Sequence, residues 1–173
     1  MADQTVVYEF EIKLCNLDLE DKYWRRIEIT SVSTVAKLAY AIMASFELSG
    51  SHLFSVRYIN SYFEFYNDNA IQPCDFKLKN LNLSVGDKLK MVYDFGADLN
   101  FAIKLTEIKE FKRGTGTHYP YALSGAGTKI PEDMFIPELI EELDSLYKEY
   151  DSELDNVLLK GKIQILKDQY ELK

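Results

Sequence analysis

The sequence predicts an α+β fold with about six strands in three hairpins, one long helix across a face of the sheet, and helices at the C-terminal end. Apolar and polar residues alternate in six short stretches, which is typical of half-buried strands. Residues 34–48 instead repeat their apolar residues at the spacing of one helical face. A second stretch with helical spacing follows residue 137.

The three predicted hairpins cover residues 6–30, 53–66 and 88–105. The first joins an alternating strand at 6–14 to a strand at 24–30, and the second turns at Asn60 and Ser61. The third turns at 94–96, where a glycine-containing corner separates two alternating strands. An apolar strand face must be covered, so we expect the predicted helix to lie on it.

The helix has recognisable start and stop signals. Ser33 or Thr34 can accept a hydrogen bond from a free backbone N–H of the first turn. Ser49 and Gly50 provide the predicted end. The residues that form its apolar stripe are Val35, Leu38, Ala39, Ile42, Met43 and Phe46.

The remaining chain is predicted with less regular structure. The glycine-rich residues 111–129 are predicted to be a long irregular connection. An acidic helix is expected to begin near Glu138, to break near Asp151, and to be followed by a short element after Gly161. We expect residues 1–133 to form the α+β domain and residues 134–173 a helical extension packed on its second sheet face.

Composition restricts the class of protein. The formal net charge of −8 argues against a broad phosphate-binding surface, because such surfaces depend on clustered Lys and Arg. Cys15 and Cys74 have no metal-binding or redox spacing, so two reduced, inert thiols are expected. The sequence contains neither an apolar run of about 20 residues nor a secretion signal, which predicts a cytoplasmic protein without membrane contact.

Several short motifs occur in an order that resembles one family. They are WRRI at 24–27, the helix from residue 34, HLF at 52–54, GD at 86–87, YDFG at 93–96, YP at 119–120, GAG at 125–127 and PED at 131–133. Together they resemble the plasmid pRiA open-reading-frame-three family, a domain of unknown function sometimes described as a resolvase-like passenger of mobile elements. The resemblance covers roughly residues 6–133 and implies a mixed, β-grasp-like sheet.

The chain also departs from the family pattern. The family has Asp, Trp and His after its Asp-Phe-Gly motif, where this chain has Ala97, Leu99 and Phe101. The family Cys after Tyr-Pro is replaced by Ala122, and Met134 and Phe135 stand where the family has two glycines. If those polar residues form a site in the family, these replacements predict that this member has lost its activity.

Low-specificity candidates for binding residues follow from the motifs. Asp94 and Gly96 are expected to form a strand-end turn, with glycine in a conformation denied to other residues. A flap at 125–133 would bring Glu132 and Asp133 near Asp94, where carboxylates could hold a divalent cation or remain solvated. A kinase-type or phosphate-loop role for these motifs is excluded by the missing companion motifs and spacing.

Two histidines and two residues of the second strand complete the candidates. His52 is expected to make a structural hydrogen bond, whereas His118, beside Tyr119 in the glycine-rich loop, is the better functional candidate. Trp24 and Arg26 could contact nucleic acid, but packing on the outer sheet face and pairing with acids are favoured.

We therefore predict a non-enzymatic binding or scaffold module that recognises an unidentified protein partner, with no catalytic residue, metal or cofactor assigned. One alternative is a nucleic-acid-associated protein of mobile-element origin, although the net charge disfavours it. The other alternative is a metal-dependent enzyme with a degenerate carboxylate site.

Overall fold

The computed structural model describes residues 4–16, 19–133, 138 and 147–171. Over these residues it contains seven strands, two α-helices and two short 3₁₀ turns, at Pro73–Asp75 and Leu78–Leu81. The strands are β1 (Val6–Leu14), β2 (Trp24–Thr30), β3 (Phe54–Tyr58), β4 (Ser61–Glu64), β5 (Lys88–Tyr93), β6 (Leu99–Glu110) and β7 (Tyr121–Ala126). The helices are α1 (Val35–Ser45) and α2 (Ser152–Glu171).

All seven strands form one sheet in the order β4-β3-β5-β6-β1-β2-β7. The α+β class and the three hairpins β1–β2, β3–β4 and β5–β6 are confirmed. The expected mixed sheet is wrong, because every neighbouring pair of these strands is antiparallel. The sheet has one strand more than the expected number of about six, since β7 forms inside residues 111–129 by pairing with β2.

One face of the sheet forms the core with α1. Phe10 lies between Ile27 and Leu105 in the register of β1, β2 and β6, and all three side chains are fully buried. The Thr34 hydroxyl accepts from the Lys37 backbone N–H at 3.0 Å, which confirms the predicted cap. Ten of the eleven residues of α1 are buried, as expected of a helix that lies between a sheet and a second helix.

We predicted that the C-terminal helical extension covers the second face of the sheet. The helix α2 does not lie there. It packs beside α1 and against β7, and its buried residues Leu159, Ile163, Leu166 and Tyr170 join the core that contains α1. The predicted break near Asp151 is the start of α2, where the Asp151 carboxylate accepts from two backbone N–H groups. The helix continues through Gly161, so the separate element predicted there is wrong, and residues 139–146 of the expected acidic helix lie outside the described part.

Asn156 of α2 closes the outer edge of β7. Its side-chain oxygen accepts from the Ala122 backbone N–H at 2.8 Å, and its side-chain nitrogen donates to the Ala122 carbonyl at 2.7 Å. The amide group therefore satisfies both backbone groups of one residue, as a neighbouring strand would.

Arg25 is fully buried at the junction of β2, α1, β7 and the chain before α2. Its guanidinium donates to the carbonyls of Trp24, Ser45, Ala126 and Thr128 at 2.7–3.1 Å. The Phe46 and Tyr150 rings contact the same group, with centroids 4.1 and 3.8 Å from its carbon. Arg25 thus holds the last carbonyl of α1, which fits the helix ending at Ser45 and not at the predicted residues 49–50.

Backbone carbonyls, and not carboxylates, therefore accept the hydrogen bonds of the Arg25 guanidinium. Burial lowers the pKa of Arg25 to about 10, while Tyr150 and Asp155 act in the opposite direction. Gly125 makes this packing possible, since a Cβ atom there would lie 2.7 Å from the Trp24 carbonyl oxygen and 2.8 Å from the Tyr150 ring.

Both cysteines are free thiols, Cys15 exposed and Cys74 half-buried, and burial raises the pKa of Cys74. None of the helices in the described residues has the length and apolar character needed to cross a bilayer.

Candidate functional site

The predicted motifs meet at the end of strands β3 and β5. His52 lies two residues before β3, and Asp94 directly follows β5. Phe54 and Tyr93 are paired across these strands, and the Asp94 N–H donates to the Leu53 carbonyl at 3.0 Å. The sheet register therefore fixes His52 and Asp94 beside each other.

Asp133 completes what we call the His52 cluster, namely His52, Asp94 and Asp133. The Nε2 atom of His52 lies 2.8 Å from Oδ1 of Asp133 and 3.5 Å from Oδ2 of Asp94. Each of the three residues offers one potential metal-ligand atom, and these three atoms lie within 4.8 Å of one another. The side chains of His52 and Asp94 are 29% and 13% exposed and that of Asp133 is 75% exposed, so the cluster opens to solvent.

Neighbouring residues hold the segment that carries Asp133. The Glu132 carboxylate accepts from the backbone N–H and the hydroxyl of Ser49, both at 3.0 Å, and makes a short hydrogen bond with the Tyr93 hydroxyl. Glu132 thus fixes the chain next to Asp133, whose carboxylate lies close to that of Asp94, whereas the carboxylate of Glu132 itself contacts Ser49 and Tyr93.

The turn at Asp94 differs in one detail from the prediction. Oδ1 of Asp94 accepts from the backbone N–H groups of Gly96 and Ala97 at 3.1 and 3.3 Å, as expected of a strand-end turn. The positive φ angles, however, belong to Asp94 at 60° and Asp98 at 57°, and not to Gly96. Aspartate tolerates this region because its short side chain bonds to the local backbone.

His118 and Tyr119 lie elsewhere, in a cleft of about 1060 Å³ between the 111–121 connection, α1 and α2. We call it the lysine cleft because Lys37, Lys160 and Lys167 also line it. Trp24 and Arg26 belong to neither group. Trp24 is half-buried and Arg26 exposed on β2, and neither is among the residues that line the cleft.

Sequence reasoning did not place His52 with the two aspartates, and it did not group the three lysines of the cleft. One signal in the sequence was available for His52. It begins one of the motifs and lies two residues before β3, which pairs with β5, the strand that ends before Asp94. The lysines come from two helices far apart in sequence, and nothing in their spacing indicated that they would meet.

Four tyrosines have raised pKa values, of which Tyr40, Tyr93 and Tyr170 are buried and Tyr150 is half-buried beside Arg25. Burial raises the pKa of Tyr93, with Glu132 adding to the effect, and burial likewise raises the pKa values of Tyr40, Tyr150 and Tyr170. In the unfolded chain these groups lose their protons near pH 10, whereas the folded chain retains them. The unfolded state then binds fewer protons, so stability falls as the pH rises.

We therefore expect the free energy of unfolding to decrease above about pH 10, by about 1.4 kcal/mol per pH unit for each such tyrosine. Arg25 offsets the effect of one tyrosine. Its pKa is lowered in the folded chain, so above about pH 10 the unfolded chain binds one proton more at this residue than the folded chain does. Urea unfolding between about pH 8 and about pH 11.5 measures the slope. Tyr150→Phe should make the slope shallower, and a stability that is independent of pH above 10 would contradict this prediction.

The fold and site define an α+β protein in which an open antiparallel sheet is covered on one face by two helices and carries a histidine–carboxylate cluster at a strand end. The family model of the plasmid pRiA4b ORF-3-like proteins matches residues 6–163. The chain belongs to this family.

A solved structure supports the fold. The crystal structure of MM3350, a protein of unknown function from Methanosarcina mazei Go1, is similar with a TM-score of 0.73 at 21% sequence identity. The likeness covers 91% of this chain and 90% of that chain. No curated protein matches the sequence. Family and neighbour are both uncharacterised, so function must be argued from the site.

Three positions that the resemblance marks as departures from the family pattern lie in the core. Leu99 and Phe101 are 2% and 0% exposed, and Ala122 is 1% exposed. An imidazole at position 101 or a thiolate at position 122 would be buried there and would need polar partners. The His52 cluster, in contrast, retains its polar groups.

Proposed function

We propose that the protein is a non-enzymatic binding module and that its His52 cluster binds a divalent transition-metal ion, with Zn²⁺ or Mn²⁺ as the best fit. The observation that carries this proposal is the meeting of one imidazole nitrogen and two carboxylates from three separate segments within 4.8 Å. Imidazole suits Zn²⁺ and other transition metals better than Mg²⁺ or Ca²⁺, which prefer oxygen ligands only.

The distances in the cluster suit such an ion. A tetrahedral Zn²⁺ with bonds of about 2.1 Å places its ligand atoms about 3.4 Å apart. The two distances from Nε2 of His52, 2.8 Å to Asp133 and 3.5 Å to Asp94, lie on either side of that value. Oδ1 of Asp94 is held by the turn, which leaves its other oxygen facing His52. Three protein ligands would leave one position for water or a partner group.

The non-enzymatic assignment is supported by Phe101 and Ala122, which occupy the core at positions where the family pattern has polar side chains.

We further propose that the module binds a protein partner and that it is located in the cytoplasm. Two free cysteines support a reducing compartment. The β-grasp-like relationship is also a proposal, supported by the order of β1, β2, α1 and β3 along the chain.

The proposal predicts that micromolar ZnCl₂ or MnCl₂ raises the melting temperature of the metal-free protein. Saturation at about 100 times Kd adds about 2.7 kcal/mol of stability, which corresponds to about 5–10 °C for a chain of this size. MgCl₂ at the same concentration should have a much smaller effect. Calorimetric titration provides the stoichiometry, which should be one ion per chain.

Asp133→Asn is the informative variant, because it removes one ligand charge from an exposed side chain and leaves the core unchanged. We expect metal affinity to fall about 10- to 100-fold. Asp68→Asn makes the same chemical change on an exposed loop residue outside the cluster and should bind metal like the wild type. Equal metal binding by both variants, or no binding by the wild type, would refute the metal site.

A further inference from the structure

The lysine cleft is separate from the His52 cluster and has the size of a ligand-binding site. Its volume of about 1060 Å³ lies at the upper end of the range for small-molecule pockets. The start of α1 and the outer side of α2 form two of its walls, and the connection that carries His118 and Tyr119 forms the third.

Positive charge predominates in the cleft, although the protein as a whole is acidic: among the described residues, three lysines line it against one carboxylate, that of Glu171, which accepts a hydrogen bond from Tyr40. Lys37, Lys160 and Lys167 all line it, and none of them has an ion-pair partner within the residues that the structure describes. The pKa of Lys37 is lowered by burial and then by the charges of Lys167 and Lys160. Three ammonium groups that repel one another in one cleft favour an anionic occupant.

The spacing of the charges indicates what kind of anion fits. Lys160 and Lys167 are seven residues apart on α2, which is two helical turns or about 10.5 Å. Apolar side chains lie among the charges, namely Ile163 and Val157 of α2 and Phe111 and Tyr119 of the connection. The cleft therefore matches carboxylates that alternate with apolar groups along an extended chain.

We infer that the lysine cleft binds an acidic segment of a partner protein, with its carboxylates on the three lysines and its apolar side chains between them. Nucleic acid fits less well, because a net charge of −8 repels a long phosphate backbone outside the cleft. This inference goes beyond the metal site, since no residue of the His52 cluster lines the cleft.

The test uses the full chain and a fluorescein-labelled peptide of three Glu-Glu-Leu repeats, with a Gln-Gln-Leu peptide for comparison. Fluorescence anisotropy should show binding of the acidic peptide that weakens as salt rises. Lys160→Glu with Lys167→Glu should weaken binding at least about tenfold. Lys88→Glu with Lys104→Glu makes the same charge change on exposed lysines of β5 and β6 outside the cleft and should leave binding within about twofold.

A second measurement locates the bound peptide. Cys74 lines the cleft, so in a Cys15→Ser background the acidic peptide should slow alkylation of Cys74. The inference is overturned if the wild type does not bind the acidic peptide, if both double variants lose binding equally, or if Cys74 is not protected. Tighter binding of ATP or of an oligothymidylate than of the peptide would assign the cleft to phosphate ligands and would also overturn it.

Discussion

Arg25→Ala is expected to lower the free energy of unfolding by about 3–5 kcal/mol, because several buried carbonyls would lose their donor at once. The guanidinium donates to Ser45 at the end of α1, to Ala126 of β7 and to Thr128 after it. Its loss would also leave a gap between the Phe46 and Tyr150 rings. Urea unfolding followed by circular dichroism measures the change.

The neighbouring residue provides the matched control. Arg26 has the same side chain but is exposed on the opposite side of β2, so Arg26→Ala should change stability by less than about 0.5 kcal/mol. Arg25→Lys keeps the charge but loses the planar group that fits between two rings, and should cost about 2 kcal/mol. Equal stability of the Arg25 and Arg26 variants would disprove the structural role of Arg25.

Tyr170→Ala is expected to cost about 3–5 kcal/mol, the usual range for truncation of a buried aromatic side chain. Tyr170 is 4% exposed and stacks on Tyr40 and Phe65, with ring centroids 5.8 Å away in both cases. It also meets Phe54 edge to face at 5.1 Å. Its hydroxyl donates to the carbonyl of His52, so it joins α2 to the metal site proposed above.

Two further variants separate the contributions of Tyr170. Tyr170→Phe keeps the ring and removes the hydrogen bond, so it should cost about 1 kcal/mol. Ile165→Ala removes an apolar side chain that is 65% exposed on the same helix and should have little effect. If Tyr170→Ala were as mild as Ile165→Ala, then α2 would contribute little to the core.

Much of the fold followed from local patterns in the sequence. The strands β1–β6 and the helix α1 have strong periodicity, and the cap at Thr34 has a local mechanism. The strand β7 could not be predicted in the same way, because its short sequence with Gly125 becomes a strand only by pairing with β2. Tertiary pairing overrides weak local preference in such segments.

The candidate site was predictable in part. The motifs predict that a flap brings Glu132 and Asp133 near Asp94. For His52 they predict only a structural hydrogen bond, whereas the structure places it between Asp94 and Asp133. Arg25 had an unused signal, since the alternation of β2 places it on the same face as Ile27 and Ile29. Apart from the adjacent Trp24, its carbonyl partners come from two other segments, the end of α1 and the end of β7, and no local pattern could reveal them. The location of α2 depended equally on distant contacts.

Asn156 has a consequence for how copies of the chain behave toward one another. An open strand at the end of a sheet is a template on which another chain can add its own strand. By bonding to both backbone groups of Ala122, the Asn156 amide occupies part of the place where an incoming strand would dock on β7. Detachment of α2 would uncover this template, so we expect the helix that completes the core also to hinder strand-to-strand association of copies.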